Sequence, residues 1–307
     1  MNRTIGYFRI VHYLLLTILA NVAIFMSFRS FSKFNINTLP AIITNYAVCV
    51  ITGSLYVGLK TVNSRSDFGS SWFYSAAILG VVFVSTFYLM ARTTQLRGVA
   101  VASVASKMSL AIPVIFSLFI FKIGSGDLDV LNYLGIGLAF IAILMVSRKE
   151  KANHQKAPLT LGYIALPLSV FLMGGLIDTS LNYVNHELLT EEIEAIFPIF
   201  IFSCAFISGL ILALIKKVKF RWKDILGGIY LGIPNYFSIF FQLKALSAFD
   251  NNGAIVYPSL NIGIIIGSTL AAILFFKERL SKINFFGVAL AVIVIVLLSH
   301  QELEKSL

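Results

Sequence analysis

Long apolar runs recur along the whole chain, with little between them. They cover residues 10–28, 39–59, 72–91, 98–121, 130–147, 160–183, 194–215, 224–244, 251–276 and 283–299. Each is roughly 17 to 26 residues, enough to cross a ~30 Å hydrocarbon core as a helix. Inside a bilayer no water satisfies the backbone, so each segment must close its own hydrogen bonds, and a helix does this within one segment. Composition agrees: 58% of the 307 residues are apolar and 12% are charged, and the mean hydropathy is +0.88. That is more hydrocarbon than a water-soluble fold can cover. The expected fold class is an all-α integral membrane protein with ten transmembrane helices and no room for a separate soluble catalytic domain. Arg3 and Arg9 precede the first run as in a signal peptide, but the run is longer than an h-region and is read as a helix.

The net charge of +10 would suggest nucleic acid in a soluble protein. Here Lys and Arg sit in short loops, where they set topology, so no nucleic-acid partner is expected. Cys49 and Cys204 both lie inside apolar runs, which excludes a disulfide framework or a zinc site. His12, His154, His186 and His300 are scattered, and no metalloprotease helix, Walker loop or dinucleotide fingerprint is present. Gly124-Ser125-Gly126 reads as a loop, not a phosphate cradle. No catalytic residue, metal or cofactor is therefore expected.

An internal repeat organises the runs. Arg97-Gly98-Val99-Ala100 leading to Phe121-Lys122 matches Asn252-Gly253-Ala254-Ile255 leading to Phe276-Lys277, with equal Gly-to-Lys spacing. Each half then closes on a related helix, Leu134-Gly135-Ile136-Gly137 echoed by Phe286-Gly287-Val288-Ala289, and Ser147 by Ser299. The halves are 1–152 and 153–307. Five crossings per half turn the second copy upside down, and an inverted repeat is the architecture of a secondary transporter. The loops after the odd-numbered spans hold 16 of the 24 basic residues, which by the positive-inside rule puts them in the cytoplasm and both termini outside.

Phe275-Phe276-Lys277-Glu278-Arg279-Leu280, between a glycine-rich helix and a last apolar helix, resembles the signature that closes a repeat of the drug/metabolite transporter superfamily, in particular its EamA-type members. The resemblance covers essentially the whole chain. Pro113 matches the proline common in that family's fourth helix, whereas Phe121-Lys122-Ile123-Gly124 lacks the glutamate that the second half has at Glu278. The resemblance implies export of a small metabolite, such as an amino acid or related polar compound, across a bacterial inner membrane, with both termini cytoplasmic, opposite to the charge asymmetry. It also implies a central cavity formed by the first, third, fourth, sixth, eighth and ninth helices. Glu278-Arg279 is expected to cap the ninth helix and pair locally, in a structural or gating role.

Ionisable groups at bilayer depth normally face a bundle interior or a watery cavity. Lys107 lies in the fourth run, ~14 Å along the helix axis, beyond easy snorkelling to either surface. Asp178 is the acid well inside a run, with Thr179 beside it and Asn182 one turn later on the same face. Counted along straight helices, their Cα levels differ by roughly 10 Å, so a direct bridge is not favoured. Lys107 would receive a carboxylate or phosphate, and Asp178 an amine or a proton; the bland alternative is a buried structural pair. Asn21, Asn235 and Asn261 fall at similar depth, as substrate ligands or as helix glue. Tyr236, Tyr257 and Gln242 are weaker additions, and Tyr46 and Tyr88 weaker still. Pro113, Pro167, Gly174-Gly175, Pro234, Pro258 and Gly263 mark kinks or hinges. Gly228 with Gly232, and Gly263 with Gly267, permit close helix contact within the fold or between protomers, leaving monomer and homodimer open.

The expected function is secondary transport of a small polar zwitterionic or anionic compound, with the bilayer as surroundings and with proton coupling, exchange or facilitated diffusion all open. The rivals are an intramembrane enzyme, which would need clustered acids or nucleophiles that the sequence lacks, and a non-transporting scaffold.

Overall fold

The structure is a computed structural model that describes residues 2–64, 69–112, 130–147, 161–249 and 253–306. Its described elements are helical throughout: α1 (Asn2–Lys33), α2 (Thr38–Val57), α3 (Leu59–Ser64), α4 (Ser71–Arg97), α5 (Val99–Lys107), α6 (Val130–Ser147), α7 (Leu161–Glu187), α8 (Glu191–Glu194), α9 (Phe197–Ile215), α10 (Trp222–Ala248), α11 (Gly253–Phe276) and α12 (Lys282–Ser306). Among the described residues, six helical stretches are long and apolar enough to cross a membrane: His12–Lys33, Thr38–Val57, Ser71–Arg97, Ile164–Glu187, Glu192–Ile215 and Val256–Phe276. The chain is a multi-pass membrane protein. Apolar stretches in α5, α6 and α12 are shorter. The long helix α10 is missing from that set because one of its faces carries Asn235, Ser238 and Gln242 and is buried in the bundle.

Helix α10 packs on α1 and α2, α9 on α2 and α4, and α7 on α4 and α5. Helix α11 packs on α1, α5 and α12, and α12 also packs on α6. In lipid, helices gain little from hiding apolar surface from one another, so close approach and shape decide the contacts. Both small-residue pairs work within the fold. A Cβ on Gly228 would lie 2.6 Å from the Ala41 carbonyl oxygen of α2, and one on Gly263 2.3 Å from Ile18 of α1. Tyr46 sits at the centre of an aromatic cluster, 5.9 Å from both Phe87 and Phe202.

Long-range polar contacts identify one end of the bundle, here called the basic end. Arg29, late in α1, pairs with Glu278 beyond α11 at 2.8 Å. The Glu278 carboxylate also accepts the Val99 N–H at the start of α5, at 3.2 Å. Asp224, at the start of α10, accepts the Asn37 N–H at 2.7 Å and pairs with Arg221 at 2.8 Å. Asn284 of α12 donates to the Val146 carbonyl of α6 at 2.7 Å. The expected local pairing of Glu278 is thus replaced by contacts to two distant helices. Only its backbone closes α11, its N–H reaching the Ala272 carbonyl past Lys277 at φ 52. At the opposite end Lys244 pairs with Glu194 at 2.9 Å, and Trp72 stacks edge-on against Phe200.

The expected breaks at Pro167, Gly174-Gly175, Pro234, Pro258 and Gly263 do not interrupt α7, α10 or α11. Pro113, Lys122, Gly124-Ser125-Gly126, His154 and most of the second half of the fourth run lie outside the described residues.

Candidate functional site

Helix α5 gives way at Met108–Leu110 to a 3-10 turn directly after Lys107. Opposite this turn α7 presents Gly174 and Gly175. A Cβ on Gly174 would meet the Ser106 carbonyl oxygen at 3.2 Å, and one on Gly175 would meet Ile112 at 2.4 Å. The glycine pair is an approach surface. It lets α7 lie against the turn, and one helical turn later it delivers Asp178, whose Oδ2 is 3.0 Å from Ser109 Oγ.

Lys107, Asp178, Asn21, Asn235 and Gln242 line one cavity of about 60 Å³. Phe25, Phe83 and Phe87 close its apolar side. At about 30 Å³ per water it has room for roughly two water molecules. Lys107 is buried at 8% exposure, and no ion pair joins it to Asp178 among the described residues. Two more polar atoms on the lining residues, Asn235 Oδ1 and Gln242 Nε2, are buried without a hydrogen-bond partner. The cavity lining therefore brings the side chains of Lys107 and Asp178 beside the amides of Asn21, Asn235 and Gln242.

Helix α11 supports the site from behind. Asn261 donates to the Lys107 carbonyl at 3.2 Å, and the Tyr257 hydroxyl donates to the Asp178 carbonyl at 3.3 Å. Those two residues are four apart, ~6 Å along the axis, so Lys107 and Asp178 lie closer in level than counting along straight helices suggested. Ser109 Oγ also contacts the Ser106 carbonyl. One hydroxyl carries one proton, so two patterns fit. Ser109 can donate to an ionised Asp178, or it can donate to Ser106 while a protonated Asp178 donates to Ser109.

Of the eight residues singled out in the sequence, Lys107, Asp178, Asn21 and Asn235 meet at the cavity, while Asn261 and Tyr257 brace it. Asn21 also donates to the Thr17 carbonyl of its own helix at 2.9 Å. Tyr236 is not brought in: it is fully buried, its hydroxyl donates to the Ala195 carbonyl at 3.2 Å, and its ring stacks on Phe240. Asn182 stands one turn after Asp178 on α7, and its side chain lies outside the described residues.

No family model matches the chain. An uncharacterized protein of Haemophilus influenzae is 30% identical over 287 residues, spanning 91% of this chain and 94% of its own length. The chain belongs to that protein's family. The fold extends further. A crystal structure of a protein 12% identical to this chain matches it with a TM-score of 0.54, over 92% of this chain and 95% of that one, a likeness of fold alone. In this family member the cavity residues that sequence reading passed over are Thr86, Ser106 and Ser238, and Gln242 was underrated. Asn235, Ser238 and Gln242 fall at i, i+3 and i+7, a polar stripe that helical spacing could have flagged.

Proposed function

We propose that the chain is a secondary transporter of the drug/metabolite superfamily, EamA-type, moving a small zwitterionic or anionic metabolite across a bacterial inner membrane. The observation that carries this reading is the mid-bundle cavity, where Lys107 and Asp178 come together beside the amides of Asn21, Asn235 and Gln242. Ionisable and amide groups buried at that depth cost stability, and in a membrane they mark substrate or ion pathways. A carboxylate or phosphate suits Lys107, and an amine or a proton suits Asp178. The two hydrogen-bond patterns at Ser109 favour a proton-coupled cycle, since they match two charge states of Asp178.

Ten spans in two inverted halves, 1–152 and 153–307, are the scaffold of this reading. Its support is a symmetry of contacts. Exchanging α1 with α7, α2 with α9, α4 with α10, α5 with α11 and α6 with α12 turns α2–α10 packing into α9–α4, α1–α10 into α7–α4, and α1–α11 into α7–α5. The basic-end ties Arg29–Glu278, Asn37–Asp224 and Val146–Asn284 all join one half to the other. Alternating access would begin with the cavity opening at the opposite end and then require these ties to break.

The experiment is counterflow in proteoliposomes with amino acids, phosphate esters and organic cations, run on wild type and Lys107→Met. Saturable exchange of a zwitterion or anion by wild type alone supports the reading. Unchanged exchange in Lys107→Met removes Lys107 from the site. Chemical conversion of a substrate in detergent, without a second compartment, favours an enzyme instead.

A further inference from the structure

A second polar cavity, of about 330 Å³, opens at the basic end. Helix α4 separates the two. Phe83, Thr86, Phe87 and Met90 face the central cavity, while Tyr88, Arg92 and Gln95, on the other side of the helix, line this one. The remaining wall is Ile36 to Pro40, leading into α2, with Val218 from the turn after α9.

Its charge is one-sided. Arg92 is partly buried and makes no hydrogen bond or ion pair among the described residues, whereas Arg29 and Arg221 are each paired at 2.8 Å. The carboxylate bonded to this wall, Asp224 on the Asn37 N–H, is already occupied by Arg221. Thr38 Oγ1 accepts from Gln95 Nε2 at 2.8 Å, which leaves the Thr38 hydroxyl proton to donate elsewhere. Tyr88 adds a second hydroxyl, 39% exposed. Lys216, Lys217 and Lys219 flank Val218 with no acid among them. A guanidinium with neighbouring hydroxyl donors and no competing carboxylate matches a phosphate oxygen cluster.

Depth narrows the source of that phosphate. The 27 residues of α4 extend ~40 Å, about the thickness of a bilayer with its headgroups. Arg92 lies five residues before Arg97, the last residue of α4. That is ~7 Å inside the helix end, at the level where headgroup phosphate meets hydrocarbon. We propose that this pocket binds the phosphate of an anionic phospholipid headgroup in the leaflet at the basic end. Basic pockets at such an interface recognise anionic lipid by these forces.

The test is thermal unfolding of the delipidated full-length protein in a neutral detergent, with phosphatidylglycerol, phosphatidylcholine or glycerol phosphate added. Phosphatidylglycerol should raise the midpoint of wild type by about 5 °C when well above its dissociation constant, and phosphatidylcholine should not. Arg92→Gln should lose most of that rise. Gln95→Glu, which puts a negative charge in the same pocket while leaving Arg92, should lose it too, and keeps the test usable if Arg92→Gln folds poorly. Lys60→Gln, on α3, should retain it. A full rise in both pocket variants, or an equal rise from both lipids, overturns the proposal. A rise produced by glycerol phosphate with nothing added by the acyl chains overturns the lipid source and leaves a soluble phosphate ester as ligand.

Discussion

At the basic end Glu278 holds Arg29 and Asp224 holds Arg221, each at 2.8 Å, and both carboxylates also accept a backbone N–H from a distant segment. In the central cavity Lys107 and Asp178 share one space, yet no ion pair joins them. At Asp224 the geometry recovers the cost of burial, and at Glu278 it recovers part of it; both serve as structure. In the cavity Asp178 keeps a hydrogen bond to Ser109 but no ion pair, the kind of incompletely paired group that in membranes marks a pathway more often than a brace. Paired charges here tie distant segments together.

The widest separation between the two regions should come from Lys107→Met. Losing a buried charge from a polar contact costs about 2–5 kcal/mol in binding, so exchange should fall by about 30-fold or more. Thermal stability measured on the same sample should stay level or rise, because an apolar side chain of similar length removes a desolvation cost. A stability loss as large as the activity loss would make Lys107 a structural residue and erase the comparison.

Asp224→Ala should behave in the opposite sense. It removes the Arg221 pair and leaves the Asn37 N–H without its acceptor, a loss of about 2 kcal/mol in stability on the scale of hydrogen bonds to charged groups. The substrate concentration that half-saturates exchange should stay within about twofold, since a contact absent from the cavity leaves substrate affinity untouched, while the rate is free to rise because the tie opens in each cycle. Denaturation in detergent and counterflow on the same preparation separate the two quantities.

The helices and their order were readable from the apolar runs, because a bilayer permits little else. Depth was readable in part: it placed Asn21 and Asn235 at the level of Lys107, but it set Asp178 roughly 10 Å away, whereas folding brings Asp178 to the same cavity. Rotation about each helix axis was not. Asn235 and Tyr236 are adjacent in sequence and ~100° apart around α10, so one faces the cavity and the other packs toward Ala195. A helix with apolar residues on all sides gives little signal for that choice, and only the Asn235, Ser238, Gln242 spacing carried it. The partners of Glu278 were not legible at all. Arg29 and Val99 belong to the other half of the chain, and no local pattern encodes a contact made by folding two halves together.

A smaller effect is expected where the two regions are bridged by neutral groups. Asn261→Ala removes one interhelical hydrogen bond, to the Lys107 carbonyl, for a cost of about 0.6 kcal/mol. If exchange nevertheless falls tenfold with that modest stability loss, Asn261 positions the turn that carries Lys107 and belongs with the cavity. If exchange tracks stability, it is helix glue.

The finest test concerns pH and Glu278. Burial raises its carboxyl above the ordinary value of 4.5, while Arg29 and the Val99 N–H pull the other way without cancelling it. A raised value means that the folded protein binds a proton where the unfolded chain has released it. The stabilising contribution is therefore fully present below 4.5 and is lost as pH rises through the raised value. The stability of wild type minus that of Glu278→Gln, followed by thermal unfolding from pH 4 upward, should decline across that window and then level off. A difference that climbs with pH would mean that Arg29 outweighs burial, making this pair an ordinary salt bridge that strengthens on ionisation. The decline would instead make it a tie already weakened by its surroundings, as a contact that must open during transport needs to be.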